Sequence, residues 1–302
     1  MATVAELQAQ LEATRSALAA MEARASADSA ASGSGSAAHG VGAPWYWDTD
    51  PLTPFPAAGC RKVELTSPSL RAHFQALLED TARRGHQRQH GGRMVLKRVF
   101  RVQNDKLFVA YATHRDLLEP AAGAVVPRTH VPASGAWLAR ALGVQPAANE
   151  VLLFHGTTHA VADRVCADGF DERYCAAETA DEYGPGWTVE VSAAAEAARA
   201  AALAERRPFF GAGIYFQEHS TKADVEARRA GGAGRYAFVA RFALGRCFET
   251  NAARRDERRP PGGHDSLAGV VPSGCGGDGE RQFVVYDGWQ AYPEFLLEYD
   301  RE

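Results

Sequence analysis

The sequence predicts an α+β fold of antiparallel-looking strands with a few helices. Three observations lead there. Short stretches rich in Val, Phe, Tyr and Leu recur at 94–102, 151–154, 213–216, 235–242, 282–287 and 294–299, the residue types that pack well on a pleated surface. Helix-forming segments are few. No regular strand–helix–strand alternation runs along the chain, which argues against a doubly wound parallel sheet.

Composition narrows the class. The 302 residues are 46% hydrophobic and 23% charged, enough apolar material for one large domain or two small ones. A formal net charge of −4 gives no general attraction to nucleic acid or to an acidic membrane. Five cysteines stand at 60, 166, 175, 247 and 275 with no CxxC pair. An odd, scattered set fits reduced thiols inside a cell, and it offers no metal-ligand spacing. No signal peptide and no apolar run of ~18 residues is present. The expectation is a soluble, intracellular protein without a metal.

Taken in order, residues 3–25 read as an amphipathic helix with Val4, Leu7, Leu11, Leu18 and Met21 on steps of three and four. It is either a short coiled coil that self-associates or a lone helix. Residues 26–43 are Ala, Ser and Gly with little to bury, a flexible linker. The folded part begins near Trp45. Ser67 followed by Pro68 caps a helix carrying Leu70, Phe74, Leu77 and Leu78, with Gly85 just past its end. Residues 83–93 are rich in Arg, His and Gln and read as a solvated loop. After the strand at 94–102, Asn104 caps a helix carrying Leu107, Phe108 and Tyr111. Residues 119–149 read as a long connection rich in Ala, Pro and Gly. The strand at 151–154 runs directly into His155-Gly156-Thr157, and a helix at 160–168 ends at Gly169. Residues 190–207 are Ala-rich and helix-forming.

Each candidate motif is weak alone, since a His at a strand end is more often structural and a Gly-x-Gly more often a tight turn. Their order carries the information. NEVLLFHGT (149–157), GFDER (169–173), FGAGIYF (210–216), HDSLAG (264–269) and QFVVYDGWQAYPEFLLEY (282–299) resemble, in sequence order, the signature blocks of the poly(ADP-ribose) polymerase family. RVFRVQNDKLFVAY (98–111) is similar to the entry of that family's catalytic domain. The resemblance covers about residues 60–302. It implies an ADP-ribosyltransferase fold of packed, mostly antiparallel sheets, with NAD+ as substrate and protein side chains as acceptors.

It also implies roles. His155 would hydrogen-bond an NAD+ ribose hydroxyl. Gly156, with Thr157 beside it, would let the backbone approach the nicotinamide amide. Tyr215 would stack on the nicotinamide ring, and Gly211 and Gly213 would allow the turn into its strand. His155 and Tyr215 stand where the family places the first two members of its His-Tyr-Glu triad.

Departures follow in three regions. Gln282 stands in place of the triad Glu, and a neutral amide cannot favour a cationic transition state as a carboxylate does. That loss is on the order of 3 kcal/mol, or about a hundredfold in rate. Glu280 faces the same side but is displaced by about 6.6 Å along a strand, and is not counted as a substitute. Ala223 stands where the family has a Ser for the nicotinamide carbonyl. Glu226 stands where a second Tyr would close the ring sandwich; it either attracts the positively charged nicotinamide or simply faces water. Last, residues 174–208 form a long insertion, a lid or a tolerated surface loop. The resemblance with these changes implies transfer of single ADP-ribose units, or a weakened module that only binds.

Overall fold

A computed structural model of the chain describes residues 44, 46–47, 59–82, 92–119, 125–171, 208–229, 234–272 and 279–302. The expected segments 3–25 and 26–43, the basic loop from 83 to 91, and almost all of the 174–208 insertion with its Ala-rich helix lie outside the described residues.

Among the described residues, nine strands form one continuous sheet: β1 (Arg61–Glu64), β2 (Met94–Gln103), β3 (Glu150–Thr157), β4 (Ile214–Gln217), β5 (Arg235–Ala243), β6 (Cys247–Glu249), β7 (Ser266–Val270), β8 (Arg281–Val285) and β9 (Ala291–Arg301). Their spatial order is β1-β2-β9-β5-β3-β4-β8-β7-β6. Neighbours run antiparallel except β6 and β7. Five α-helices among the described residues flank it: α1 (Pro68–Asp80), α2 (Asp105–Leu117), α3 (Ala133–Ala141), α4 (His159–Asp168) and α5 (Ser220–Arg229).

The central strands are apolar on both faces, and alternation sorts their side chains into two cores. On β3, Val151 and Leu153 join one cluster with Phe238, Phe242, Phe216 and Phe283, covered by Ala162, Val165 and Cys166 of α4. Leu152 and Phe154 join the other, with Val239, Phe295 and Leu297, covered by Phe74, Leu77 and Leu78 of α1, Leu138 of α3 and Ala223 of α5. Local signals set the helix ends. The Asn104 side chain accepts from Leu107 N to start α2, and Thr158 accepts from Val161 N to start α4. Gly169, at φ +86°, ends α4 in a conformation that side chains resist.

Two expectations need correcting. The stretch 119–149 is not a plain connection: it contains α3 and short 3-10 turns at Arg128–His130 and Pro146–Ala148. Its Ala and Gly residues hid a helix because Gly135 is packed against the Thr129 carbonyl, where no larger residue fits. At α1, Ser67 makes no side-chain capping bond. The helix ends instead at Asp80, with the Thr81 hydroxyl donating to Leu77 O at 2.6 Å; Gly85 lies outside the described residues. The strands β1, β6 and β7 are too short or too small-residue-rich to register as strands in the sequence.

A buried ionic network ties the layers together. Arg241, 2% exposed at its side chain, lies between Glu150 (2.7 Å) and Glu294 (3.1 Å), both carboxylates fully covered. A register shift between Val239 and Arg241 in the β5–β9 pairing marks an irregularity in the strand at this Arg. It also donates to the Leu142 carbonyl. The Tyr111 hydroxyl donates to Glu150 at 2.7 Å and the Tyr46 hydroxyl to Glu294 at 3.0 Å. Burial pushes the Glu294 carboxyl above the usual carboxylate range, opposed by the charges of Arg241 and Arg101.

The sheet has a seam. β3 and β4 pair only at Phe154 opposite Gln217. Upstream of that point the edge of β3 is covered by side chains: Leu152 N donates to His130 Nε2 at 2.9 Å, and Thr129 donates to the Leu152 carbonyl. Burial lowers the His130 pKa to about 4, against a smaller upward pull from Glu150.

Two predictions follow from these interactions. Arg241→Met leaves two buried carboxylates uncompensated and lowers stability by about 3–5 kcal/mol, read as a shift in the denaturation midpoint. For His130, the folded pKa lies below the unfolded one, so its stabilisation is complete above pH 6.5 and is lost as pH falls through 4. The wild-type unfolding free energy from urea titration therefore drops between pH 7.5 and pH 4.5 by more than that of His130→Gln, the difference being at most about 3 kcal/mol.

Candidate active site

Downstream of the seam, β3 and β4 separate, and the residues singled out in the sequence gather around the opening. Alternation continues along β3: after Leu153 the His155 ring faces the first core, and after Phe154 Gly156 faces α5. The His155 ring lies 5.2 Å from Phe170 and 5.3 Å from Phe216. It remains half-covered at the opening. Its Nδ1 is 2.9 Å from the backbone carbonyl of Tyr215, across the gap on β4.

That contact fixes the tautomer. A carbonyl can only accept, so Nδ1 carries the proton and Nε2 is left as the acceptor nitrogen. Crowding by the protein lowers the His155 pKa, opposed by the bond to Tyr215 and by the negative charge of Glu226. The ring is therefore neutral at pH 7, with one acceptor nitrogen.

Tyr215 is held at both ends. Its ring packs on the cluster of Phe209, Phe210, Val284 and Tyr286. Its hydroxyl donates to Gly211 O at 2.9 Å and accepts from Phe210 N at 3.0 Å. The turn supplying those groups is held in turn by the Tyr286 hydroxyl, which donates to Phe210 O at 2.5 Å. Gly211 has φ +86°, and a side chain there would meet the Glu257 carbonyl at 2.2 Å. At Gly213 a Cβ would lie 2.4 Å from Val284 Cγ1. Gly213 thus allows the close approach of β4 to β8, and Gly211 the packing of the preceding turn on the Arg254 and Glu257 backbone.

Gly156 has a reason the sequence reading did not supply. A Cβ there would lie 1.7 Å from the Ala223 carbonyl and 2.9 Å from Ala227 N, so the backbone of α5 occupies the space directly. Ala223 itself is fully buried in the second core. Its methyl packs beneath β3 and presents no surface. Glu226, three residues on, is half-buried and near enough for its charge to act on His155. Thr157 is buried at the end of β3, opposite Tyr236 of β5.

Gln282 lies on β8, opposite Gln217 of β4 and Gly269 of β7. Tyr215 pairs with Val284, two residues along, so Gln282 and Tyr215 share a face. Gln282 is half-buried. Glu280 falls outside the strand, 2% exposed, with His219 Nδ1 at 3.6 Å. This carboxylate is covered and lies beside His219.

The sequence reading did not single out Phe170, although it lies within GFDER and forms one wall of His155. It also missed Phe210, whose backbone holds the Tyr215 hydroxyl. Their signal was present only as membership in a block.

Helix α5 is pinned from below. Asp224, fully buried, accepts from Arg235 at 2.8 Å and from Arg301 at 2.6 Å. The opening is thus lined by β3 at Gly156, by the locked Tyr215 and by a helix whose position is set ionically. Among the described residues no group of three His, Cys, Asp or Glu could hold a metal ion, and no helix is long and apolar enough to cross a membrane.

A split antiparallel sheet with His and Tyr on its two lips defines the class: an α+β transferase domain of the ADP-ribosyltransferase kind. The family model for the poly(ADP-ribose) polymerase catalytic domain matches residues 73–301. The chain belongs to that family, whose catalytic domains are NAD+-dependent ADP-ribosyltransferases with NAD+ as substrate.

Gly156→Ala tests the packing at the opening. The added methyl collides with a helix backbone, so a loss of about 3 kcal/mol is expected, measured by thermal melting.

Proposed function

We propose that the protein transfers single ADP-ribose units from NAD+ to protein side chains, with release of nicotinamide. The observation that carries this reading is the coupling of His155 to Tyr215. A neutral His with a committed Nδ1 proton offers Nε2 to a ribose hydroxyl of NAD+. The pinned Tyr215 ring offers an aromatic face to the electron-poor nicotinamide. Both groups are preorganised by backbone contacts, so little is lost in ordering them when substrate binds.

Bond breaking between nicotinamide and ribose builds positive charge on the ribose carbon, and the protein must stabilise it. Gln282 can hydrogen-bond the ribose but adds no negative charge. Glu226 supplies a carboxylate whose charge reaches His155, in the place where the family carries an aromatic ring. The acceptor side chain attacks from the face opposite the departing nicotinamide. An acceptor carboxylate brings its own negative charge, which offsets part of what Gln282 lacks. Elongation would require a ribose hydroxyl, a poorer nucleophile, to be activated in the same site, and Gln282 cannot polarise it as a carboxylate would. Single-unit transfer follows.

A second reading, a module that binds NAD+ or ADP-ribose without transfer, is favoured by Ala223, Glu226 and Gln282 taken together. The segment 3–25 adds self-association to either reading, and its removal with the linker to residue 43 would then lower the mass seen in sedimentation.

Label from NAD+ tagged on its adenosine half should appear as discrete protein bands. It should be lost in His155→Ala and Tyr215→Ala, and rise about a hundredfold in initial rate in Gln282→Glu. Long heterogeneous ladders would overturn the single-unit reading. No label above the folded His155→Ala control at millimolar NAD+ would leave the binding module.

A further inference from the structure

Two of the five cysteines that showed no spacing pattern in the sequence meet in space. Cys60 immediately precedes β1, and Cys166 lies on α4, 106 residues away along the chain. Cys166 is 2% exposed in the first core, and Cys60 packs against that same cluster from the solvent side, half-buried. Each thiol lies close enough to the other to perturb its titration. The backbone beneath them is held in register by an independent contact. Lys62 Nζ donates to Asp163 at 2.5 Å, joining the same strand to the same helix. Cys60 and Lys62 are two apart across the start of a strand, and Asp163 and Cys166 three apart on a helix. Each pair therefore shares one face of its element. The two elements are linked by one ion pair and one thiol pair, side by side.

We propose that Cys60 and Cys166 form a reversible oxidative modification site: a dithiol that a peroxide converts to a disulfide, clamping β1 to α4. The Cys60 sulfur attacks one peroxide oxygen, an S–O bond forms, the O–O bond breaks, and the hydroxide released leaves as water after taking a proton. The Cys166 sulfur, giving up its proton, then attacks the Cys60 sulfur. The S–S bond forms, the S–O bond breaks, and a second water leaves. Two thiols lose two electrons, and one peroxide is reduced to two waters.

The division of labour between the two sulfurs follows from their surroundings. Cys60 is the one that solvent reaches. Its thiol is held below its ordinary value, first by the neighbouring Cys166 thiol and further by the Lys62 charge, against the opposing effect of burial. Cys166 is pushed up by the Cys60 thiol and by burial. Cys60 is thus the peroxide-reactive sulfur and Cys166 the resolving one. Cys247 is a built-in control. Burial pushes its thiol up to about 11, and Ser266 is its hydrogen-bonding neighbour.

The bond closes a long loop containing β2, β3 and His155, so it removes much freedom from the unfolded chain. It also draws α4 toward β1, because a disulfide brings the sulfurs to ~2.05 Å. The inference does not rest on the NAD+ reading, since it concerns two thiols behind the sheet opening.

The test is to treat the full chain with hydrogen peroxide, alkylate the remaining thiols, digest, and map the cross-links by mass spectrometry. The expected product joins the peptide of Cys60 to that of Cys166, disappears with dithiothreitol, and is absent from Cys60→Ser and Cys166→Ala. Melting temperature should rise by about 5–10 °C on oxidation of the wild type. In Cys166→Ala a sulfenic-acid probe such as dimedone should label Cys60. Alkylation of both thiols after peroxide, or Cys60 carried to the sulfinic acid while Cys166 stays alkylatable, would overturn the proposal. A cross-link confined to other cysteines would do the same. A Cys60–Cys166 bond with no rise in melting temperature would overturn the clamp. Mapping the wild type stands by itself if a variant fails to fold.

Discussion

A single backbone pairing, Phe154 opposite Gln217, joins the two halves of the sheet, and the arrangement of the site depends on it. Had the β3–β4 ladder continued, His155 to Thr157 would lie flat against Ile214 to Phe216 and no opening would exist. Had it been absent, the Tyr215 carbonyl would not reach His155 Nδ1. One pairing sets the separation of the lips, on which His155 and Tyr215 are each held by backbone contacts. Upstream, Thr129 and His130 use side chains to satisfy Leu152 where a neighbouring strand would ordinarily do so. The backbone groups along the seam are thereby covered without closing it.

The seam tolerates little movement because its surroundings are held by charges taken out of water. Arg241 between Glu150 and Glu294 fixes β3 against β5 and β9. Asp224 between Arg235 and Arg301 fixes α5 against β5 and β9. Such buried pairs contribute little net stability compared with apolar packing, yet losing one partner is costly. Their use here is positional. A helix set by two guanidinium groups on one carboxylate has few alternative seats, and this helix supplies one wall of the opening.

Much of this was legible in the sequence. Strands β2, β3, β4, β5, β8 and β9 and the helices after Asn104 and His155 follow from apolar pattern, capping residues and block order. What escaped was set by contacts between distant residues. Helix α3 was masked by Gly135, whose small size is required by the Thr129 carbonyl. Gly156 was read as a place where backbone approaches the nicotinamide amide; that the α5 backbone also demands a glycine there was not visible in the sequence. Glu280 looked like a neighbour of Gln282 by spacing, but it leaves the strand and buries beside His219. Cys60 and Cys166 showed no pattern because 106 residues separate them. Periodicity reports which face a residue occupies; it does not report which distant backbone stands against that face.

The strand order carries a consequence for how the molecule comes to be folded. β9, the last of the described strands in sequence, sits between β2 and β5, so β2 waits for a partner almost two hundred residues downstream. Until that strand arrives, the first strands have an open edge and the carboxylate of Glu150 has its guanidinium but not the second acid. Contacts of such sequence separation are slow to close, since loop entropy must be spent before they form. The β2–β9 ladder is therefore among the slowest contacts of the sheet to close, and the buried Arg241 gains its second carboxylate only when it does.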